Sequence, residues 1–141
     1  MSLYRDIRTA VQATWGAHWP HGTDYEVLWH QNELPVVPTA THWLHLTLDF
    51  GTDIIRAFGN GRLAAERLLS GSVVIRVFCP QGYGEDAALD LLSDAVATLR
   101  GRRDGPLSFT GAISNLDGDA AENGTWWTRA AVVAFEYRHV G

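Results

Sequence analysis

Six histidines have the clearest potential for chemistry, because imidazole can bind a metal ion or carry a proton near neutral pH. They are His18, His21, His30, His42, His45 and His139. On a strand, His42 and His45 would point to opposite faces, and Pro20 lies between His18 and His21. No carboxylate or cysteine completes a ligand set at a suitable spacing. The histidines therefore predict no metal site.

A second candidate is the sequence Gly82-Tyr83-Gly84, because glycine-rich turns before helices can bind phosphate through backbone N–H groups. It lacks the Lys-Ser/Thr pair of a phosphate-binding loop, and Glu85 and Asp86 would repel a phosphate group. We interpret it as a turn between a strand and a helix.

The remaining candidates are an acidic run and a single cysteine. Asp117, Asp119 and Glu122 resemble part of a calcium loop but lack its twelve-residue ligand pattern, so they predict a solvated loop. Cys79 ends an apolar strand pattern and has no histidine–carboxylate pair arranged with it, so we expect a buried, inert thiol. The sequence thus predicts no catalytic group, no bound metal and no cofactor.

Length and composition restrict the class of protein. The chain of 141 residues is 46% hydrophobic and 19% charged, which predicts one globular domain over residues 1–141. Its net charge of −5 argues against general nucleic-acid binding. No apolar run approaches the ~20 residues that span a bilayer, so no membrane association is expected. The N-terminus lacks an apolar signal core, so we expect synthesis in the cytoplasm without export.

The clearest structural pattern is a strand, a turn and a helix between residues 67 and 101. Val73, Ile75, Val77 and Cys79 alternate along residues 72–79, which marks one buried face of a strand. The segment from Pro80 to Gly84 then ends the strand. A helix follows, closed by Arg100 and Gly101, with apolar positions at Ala88, Leu89, Leu92, Ala95, Val96 and Leu99.

The other elements place this unit in an α+β fold. Ser2 can cap a first helix with an apolar ladder, ended by Gly16 and Pro20. Strands are predicted at residues 25–30, 42–49, 54–58, 107–113 and 126–138, with a turn at residues 51–53. The segment from Arg62 to Leu69 has a helical composition but follows a Gly-Asn-Gly hairpin signal, and we predict a strand. The predicted order is α-β-β-β-β-α-β-β, a mostly antiparallel sheet with two helices on one face.

The sheet face opposite the helices carries an unusual mixture of aromatic and polar residues. It is too polar for a second core and too aromatic for bare solvent, which is typical of a subunit contact. Scattered surface aromatic residues are the alternative. The predicted members of this face are Trp43, His45, Thr47, Val74, Arg76, Phe78, Trp126, Thr128, Val132 and Glu136. Among them, Trp43, Phe78 and Trp126 are the interface candidates.

Four features, in order along nearly the whole chain, resemble the small tail terminator (tail completion) proteins of long-tailed, siphophage-like phages. A leading helix is followed by the sequence VLWHQN at residues 27–32, by prolines, and by a strand at residues 43–48. A glycine-flanked strand then ends with Phe78-Cys79-Pro80-Gln81-Gly82-Tyr83-Gly84 before the second helix. A Gly-Thr-Trp-Trp strand, from residue 124, follows an acidic loop. The Ala/Leu-rich residues 62–69 and the Trp126-Trp127 pair are not hallmarks of that family.

The resemblance implies a structural virion protein of the tail neck, assembled in the host cytoplasm, and not an enzyme. Such proteins form a homo-hexameric ring that caps the tail tube, ends tube polymerisation and joins the tail to the head connector or stopper protein. DNA passes through the lumen without sequence-specific binding. Two alternatives remain: another head–tail neck component, such as a head-completion or stopper protein, and a small α+β enzyme or ligand-binding module.

Two loops are candidates for contact with partners, because loops project from a rigid scaffold. The hairpin at residues 51–69 carries Ile54, Arg56, Phe58 and Arg62, a mixture suited to docking on a neighbouring subunit or ring. The loop at residues 114–124, with Asp117, Asp119 and Glu122, is suited to solvent, the lumen or a basic partner surface.

Overall fold

A computed structural model of the chain describes residues 2–29, 42–57, 66–80, 85–115 and 126–140. These residues form α1 (Leu3–His18), β1 (Glu26–Trp29), β2 (Trp43–Ala57), β3 (Glu66–Pro80), α2 (Glu85–Leu99), β4 (Arg103–Asp104), β5 (Leu107–Asn115) and β6 (Trp126–Val140). The strands form one sheet in the order β1-β2-β3-β6-β5-β4. β1 runs parallel to β2, and all other neighbours are antiparallel. The predicted α+β class is confirmed.

The core lies between the two helices and one face of the sheet. Val73, Ile75, Val77 and Cys79 are each 0% exposed, as their alternation predicts. α2 packs on β3 and β6, while α1 packs on α2 and β5. Both helices therefore lie on one face, which confirms that part of the sequence-based prediction.

The helices differ from the prediction in two details. α1 continues through Gly16 to His18, where the Trp19 N–H donates to the Trp15 carbonyl at 2.8 Å. Helices tolerate a single internal glycine, so Gly16 does not end this one. In α2, the predicted core residue Leu89 is 42% exposed, because it lies at the edge of the apolar stripe.

The three central strands are longer than the sequence predicts. β2, β3 and β6 each contain 15 residues, and β2 runs without interruption through the predicted turn at residues 51–53. A register shift between Phe50 and Asp53 occurs there instead. The observed order is consequently α-β-β-β-α-β-β-β, with three strands on each side of α2 rather than four and two.

Two glycines explain why the chain continues as a strand at this point. A Cβ atom on Gly51 would lie 2.5 Å from the Ser70 carbonyl oxygen. A Cβ atom on Gly71 would lie 2.5 Å from the Asp49 carbonyl oxygen and 2.7 Å from Cζ of Phe135. The two backbones thus approach at a distance that only glycine permits, and the register shift is accommodated as a bulge.

The ambiguous segment from Arg62 to Leu69 is a strand where the structure describes it. Arg67 pairs with Ile55 and Glu66 pairs with Ala57, so residues 66–69 return antiparallel to β2. This confirms the strand prediction for that part. Residues 62–65 and the predicted hairpin tip lie outside the described residues.

Replacing Leu92 with alanine tests the packing of α2 on the sheet. Leu92 is 7% exposed, so Leu92→Ala should lower the free energy of unfolding by about 2–5 kcal/mol. Leu89→Ala, on the same helix but 42% exposed, is the matched control and should cost less than about 1 kcal/mol. Urea unfolding measures both. Equal losses would contradict the observed orientation of α2.

A pair of glycine-to-alanine changes tests the bulge. Gly71→Ala should destabilise the fold by about 1–3 kcal/mol, because its methyl group would overlap a carbonyl oxygen and an aromatic ring. Gly16→Ala, which meets nothing within 4 Å in α1, should stabilise the fold by up to about 1 kcal/mol. Thermal unfolding measures both changes in stability, which should have opposite signs. A neutral Gly71→Ala would show that the strands are not crowded there.

Candidate interaction surfaces

We call the face of the sheet opposite the helices the open face. Trp43 pairs with Phe78 across β2 and β3, and Phe78 pairs with Thr128 across β3 and β6. The rings of Trp43 and Phe78 stack with centroids 4.0 Å apart and planes 6° apart. Trp43 is only 5% exposed, while Phe78 is partly buried. The two aromatic candidates therefore come together as predicted, but most of the indole is already buried within one chain.

The other sequence-based candidates are only partly described. Ile54 is 54% exposed on β2, and the backbone of Trp126 pairs with Pro80 at the start of β6. The remaining features lie outside the described residues: the side chains of Arg56 and Trp126, and all of Phe58, Arg62, Asp117, Asp119 and Glu122. Their predicted roles at interfaces stay predictions.

Exposed apolar side chains gather where the long strands extend to one end of the sheet. We call this the distal end: residues 53–57 of β2, 66–69 of β3 and 137–140 of β6. Ile54 and Ile55 are 54% and 45% exposed, and Val140 is 67% exposed. Because Ile54 and Ile55 are consecutive in a strand, they point to opposite faces. The distal end thus presents apolar surface on both sides of the sheet.

A contact between a histidine and a carboxylate joins the outer two strands of the distal end. His139 Nε2 lies 3.0 Å from Asp53 Oδ1, which connects β6 to β2 over the intervening β3. Leu69, which pairs with Asp53 across β2 and β3, is 1% exposed. The distal end therefore combines a buried core residue with exposed isoleucines.

A cleft that the sequence analysis missed lies beside the N-terminal half of α1. We call it the arginine cleft. Its volume is about 330 Å³, and it is lined by Tyr4, Arg5, Arg8, Trp29, Leu48 and Phe50. The rings of Tyr4 and Phe50 meet edge to face at 4.7 Å. Arg5 and Arg8 are exposed and lie three residues apart on the helix, so they project from one side of it. The spacing of these two arginines is the only part of the cleft that the sequence could have indicated.

The arginine cleft combines two kinds of contact. A guanidinium group binds a carboxylate through two parallel N–H···O bonds, and aromatic rings bury apolar side chains. Such a cleft suits a carboxylate that is followed or preceded by an apolar residue.

The histidines make structural contacts where they are described. His21 Nε2 lies 2.7 Å from Asp94 Oδ2, joining the segment after α1 to α2. Burial lowers the pKa of His42 below its usual range, which favours the neutral ring. Among the residues that the structure describes, no group of three or more His, Cys, Asp or Glu could hold a metal ion. His30 and the acidic run lie outside that part, so the absence of a metal site stays a prediction.

Cys79 lies at the end of β3 with 0% exposure. Burial raises the pKa of its thiol from 9.0 to about 12, because a thiolate would be poorly solvated there. The group therefore contributes its full stabilisation below about pH 9 and loses it as the pH rises towards 12. At neutral pH it is a protonated, inaccessible side chain.

Thiol labelling tests the inertness of Cys79. The native protein at pH 8 should react with a disulfide reagent at least about 100-fold more slowly than the same protein in denaturant, because the thiolate is the reactive form. The unfolded chain is the internal control. Comparable rates would show an accessible, activated thiol and would revive a nucleophilic function.

No helix within the described ranges is long and apolar enough to cross a membrane.

Comparison with known proteins identifies the fold but no family. No family model matches the chain, and no curated protein matches it in sequence. Eight chains of solved structures match it. One of them, a protein whose name describes no function, has a TM-score of 0.64 and 18% sequence identity, and the match covers 98% of each chain. At that identity the likeness establishes a shared fold and no activity.

Proposed function

We propose that this chain is a structural subunit of a homo-hexameric ring in a phage virion, which caps the tail tube, ends its polymerisation and joins it to the head connector. The observation that carries the proposal is the apolar distal end. There, Ile54, Ile55 and Val140 are 45% to 67% exposed on two of the three long strands, β2 and β6. Together with the order of sequence features that resembles tail terminators, this supports a role in assembly.

The shape of the exposed apolar surface supports contact with other subunits. Scattered single apolar residues are ordinary on surfaces, but three exposed ones at the same end of one sheet, on both of its faces, favour a contact there. These residues lie on paired strands of the sheet, where Ile54 and Ile55 follow the bulge in β2 and where His139 lies 3.0 Å from Asp53. A preformed surface of this kind loses little conformational entropy when a partner binds it.

The charge of the chain supports the passage of DNA through the ring. The chain has 16 acidic residues and 11 basic residues, and all of the basic residues are arginines. A net charge of −5 per subunit favours a lumen that repels phosphate, so that DNA slides without binding. We therefore expect no stable complex with duplex DNA.

The function is tested by adding the purified protein to growing tail tubes assembled from the tube protein of the same phage. A terminator should bind one tube end, visible as a cap in electron micrographs, and should stop elongation at substoichiometric amounts. Binding to the head connector without any effect on tube length would instead indicate a different neck component. Failure to bind either partner would contradict the proposal.

Charged substitutions at the distal end test whether it mediates assembly. Ile54→Asp combined with Ile55→Asp should weaken ring formation by at least about 30-fold, because buried apolar contacts at an interface contribute ~2 kcal/mol or more. Leu89→Asp is the matched control, because Leu89 is also exposed but lies on α2. Ring counts in micrographs measure both variants. Normal rings from the double variant would show that the distal end is not an interface.

A further inference from the structure

We propose that the arginine cleft binds the acidic turn of a second copy of this chain. The acidic turn is the name we give to residues 20–26, which lead from α1 into β1 and carry the carboxylates of Asp24 and Glu26. This inference rests on the proposed function, because it names a contact through which neighbouring subunits of the ring recognise each other.

The cleft supplies the positive half of the contact. Arg5 and Arg8 are exposed on α1, and neither forms an ion pair with any residue that the structure describes. Tyr4 and Phe50 line the same cleft and are 52% and 39% exposed. Guanidinium groups bind carboxylates through parallel hydrogen bonds and also stack on aromatic rings. At about 330 Å³, the cleft can therefore receive a few acidic and neighbouring side chains of a partner.

The acidic turn supplies the negative half. Asp24 and Glu26 are exposed, form no ion pair within the described part of the chain, and have no arginine or lysine beside them in residues 20–26. The Asp24 N–H donates to the His21 carbonyl at 3.0 Å, and His21 Nε2 lies 2.7 Å from Asp94 Oδ2 on α2. Gly22 has a φ of +57°, a conformation that glycine adopts without strain. The turn is thus held in shape before it binds, which limits the entropy lost on association.

The positions of the two surfaces favour a contact between copies over a contact within one chain. Arg5 and Arg8 lie in the N-terminal half of α1, whereas the acidic turn follows its C-terminal end at His18. Ten residues of helix separate Arg8 from His18, about 15 Å. Trp29 lines both the arginine cleft and a second cleft beside the turn, so it stands between the two sets of charges. The opposite charges are therefore available to a neighbouring copy.

A closed ring requires this kind of arrangement. Rotational rings are built from head-to-tail contacts, in which one surface of each subunit binds a different surface of the next. One end of α1 carries the arginine cleft and the other end leads into the acidic turn, so each copy can bind the next in the same direction. Phe50, in the cleft, also precedes Asp53 on β2, where the distal end begins. The proposed contact is therefore continuous with the apolar surface proposed for assembly.

Charge reversal on each side, and on both sides together, tests the contact. The full-length variants are Arg5→Glu with Arg8→Glu (the cleft variant), Asp24→Arg with Glu26→Arg (the turn variant), and the combination of all four. An acidic residue in the first turns of α1 is favourable to the helix dipole, and all four side chains are exposed, so the variants should fold. Circular dichroism verifies folding, and sedimentation velocity at low and high salt measures association.

Each side has a control of matched charge that lies outside the two surfaces. For the cleft variant it is Arg100→Glu with Arg103→Glu, and for the turn variant it is Asp90→Arg with Asp104→Arg. All four of these control residues are exposed, and none of them lines the arginine cleft. The controls separate a specific contact from the general effect of changing the net charge of the chain.

Each single-sided reversal should weaken self-association by at least about 30-fold, and the combined variant should recover to within about threefold of the natural chain. Both controls should remain within about threefold of the natural chain. If the cleft variant or the turn variant associates normally, or if the combined variant shows no recovery, the proposed contact is wrong while the ring remains. If the natural chain is itself monomeric at every concentration, both the ring and the contact are wrong.

Discussion

The structure depends on a mismatch between the length of its strands and the reach of its helices. The helices of 15 and 16 residues measure about 24 Å, whereas the three central strands of 15 residues each extend about 50 Å. Two such helices cover one face of the sheet along part of its length only. Ile75 and Val133, in the middle of β3 and β6, are fully buried, whereas Ile54 and Ile55 towards the end of β2 are exposed. The placement of both helices on one face leaves the other face open, and the extra length of the strands leaves part of the sheet uncovered on the helix side as well.

Local patterns predicted those parts of the fold that depend on local chemistry. The alternation from Val73 to Cys79 identified the buried face of β3, and the helical spacing of Leu92 identified the packed side of α2. The predicted interruption of β2 was wrong, and the reason lies in its packing against the neighbouring strand. Residues 51–53, Gly-Thr-Asp, have the composition of a turn. Only the close approach of the neighbouring strand at Gly71 shows that Gly51 lies in a bulge and not in a turn.

The candidate surfaces were predictable to different degrees. Alternation placed Trp43 and Phe78 on the same face, but it could not show that stacking would bury the indole, because that depends on the register of β2 against β3. The arginine cleft could not be predicted, since it combines side chains from α1, β1 and β2. No periodicity in the sequence connects Arg8 with Leu48 or Phe50.

The central claim is that this α+β subunit is built to assemble into a ring. The most direct test is the mass of the natural chain in solution, measured by light scattering over a wide range of protein concentration. The account predicts a rise from the 15.5 kDa of one chain to a plateau at six times that mass. A constant mass of one chain at all concentrations would contradict it.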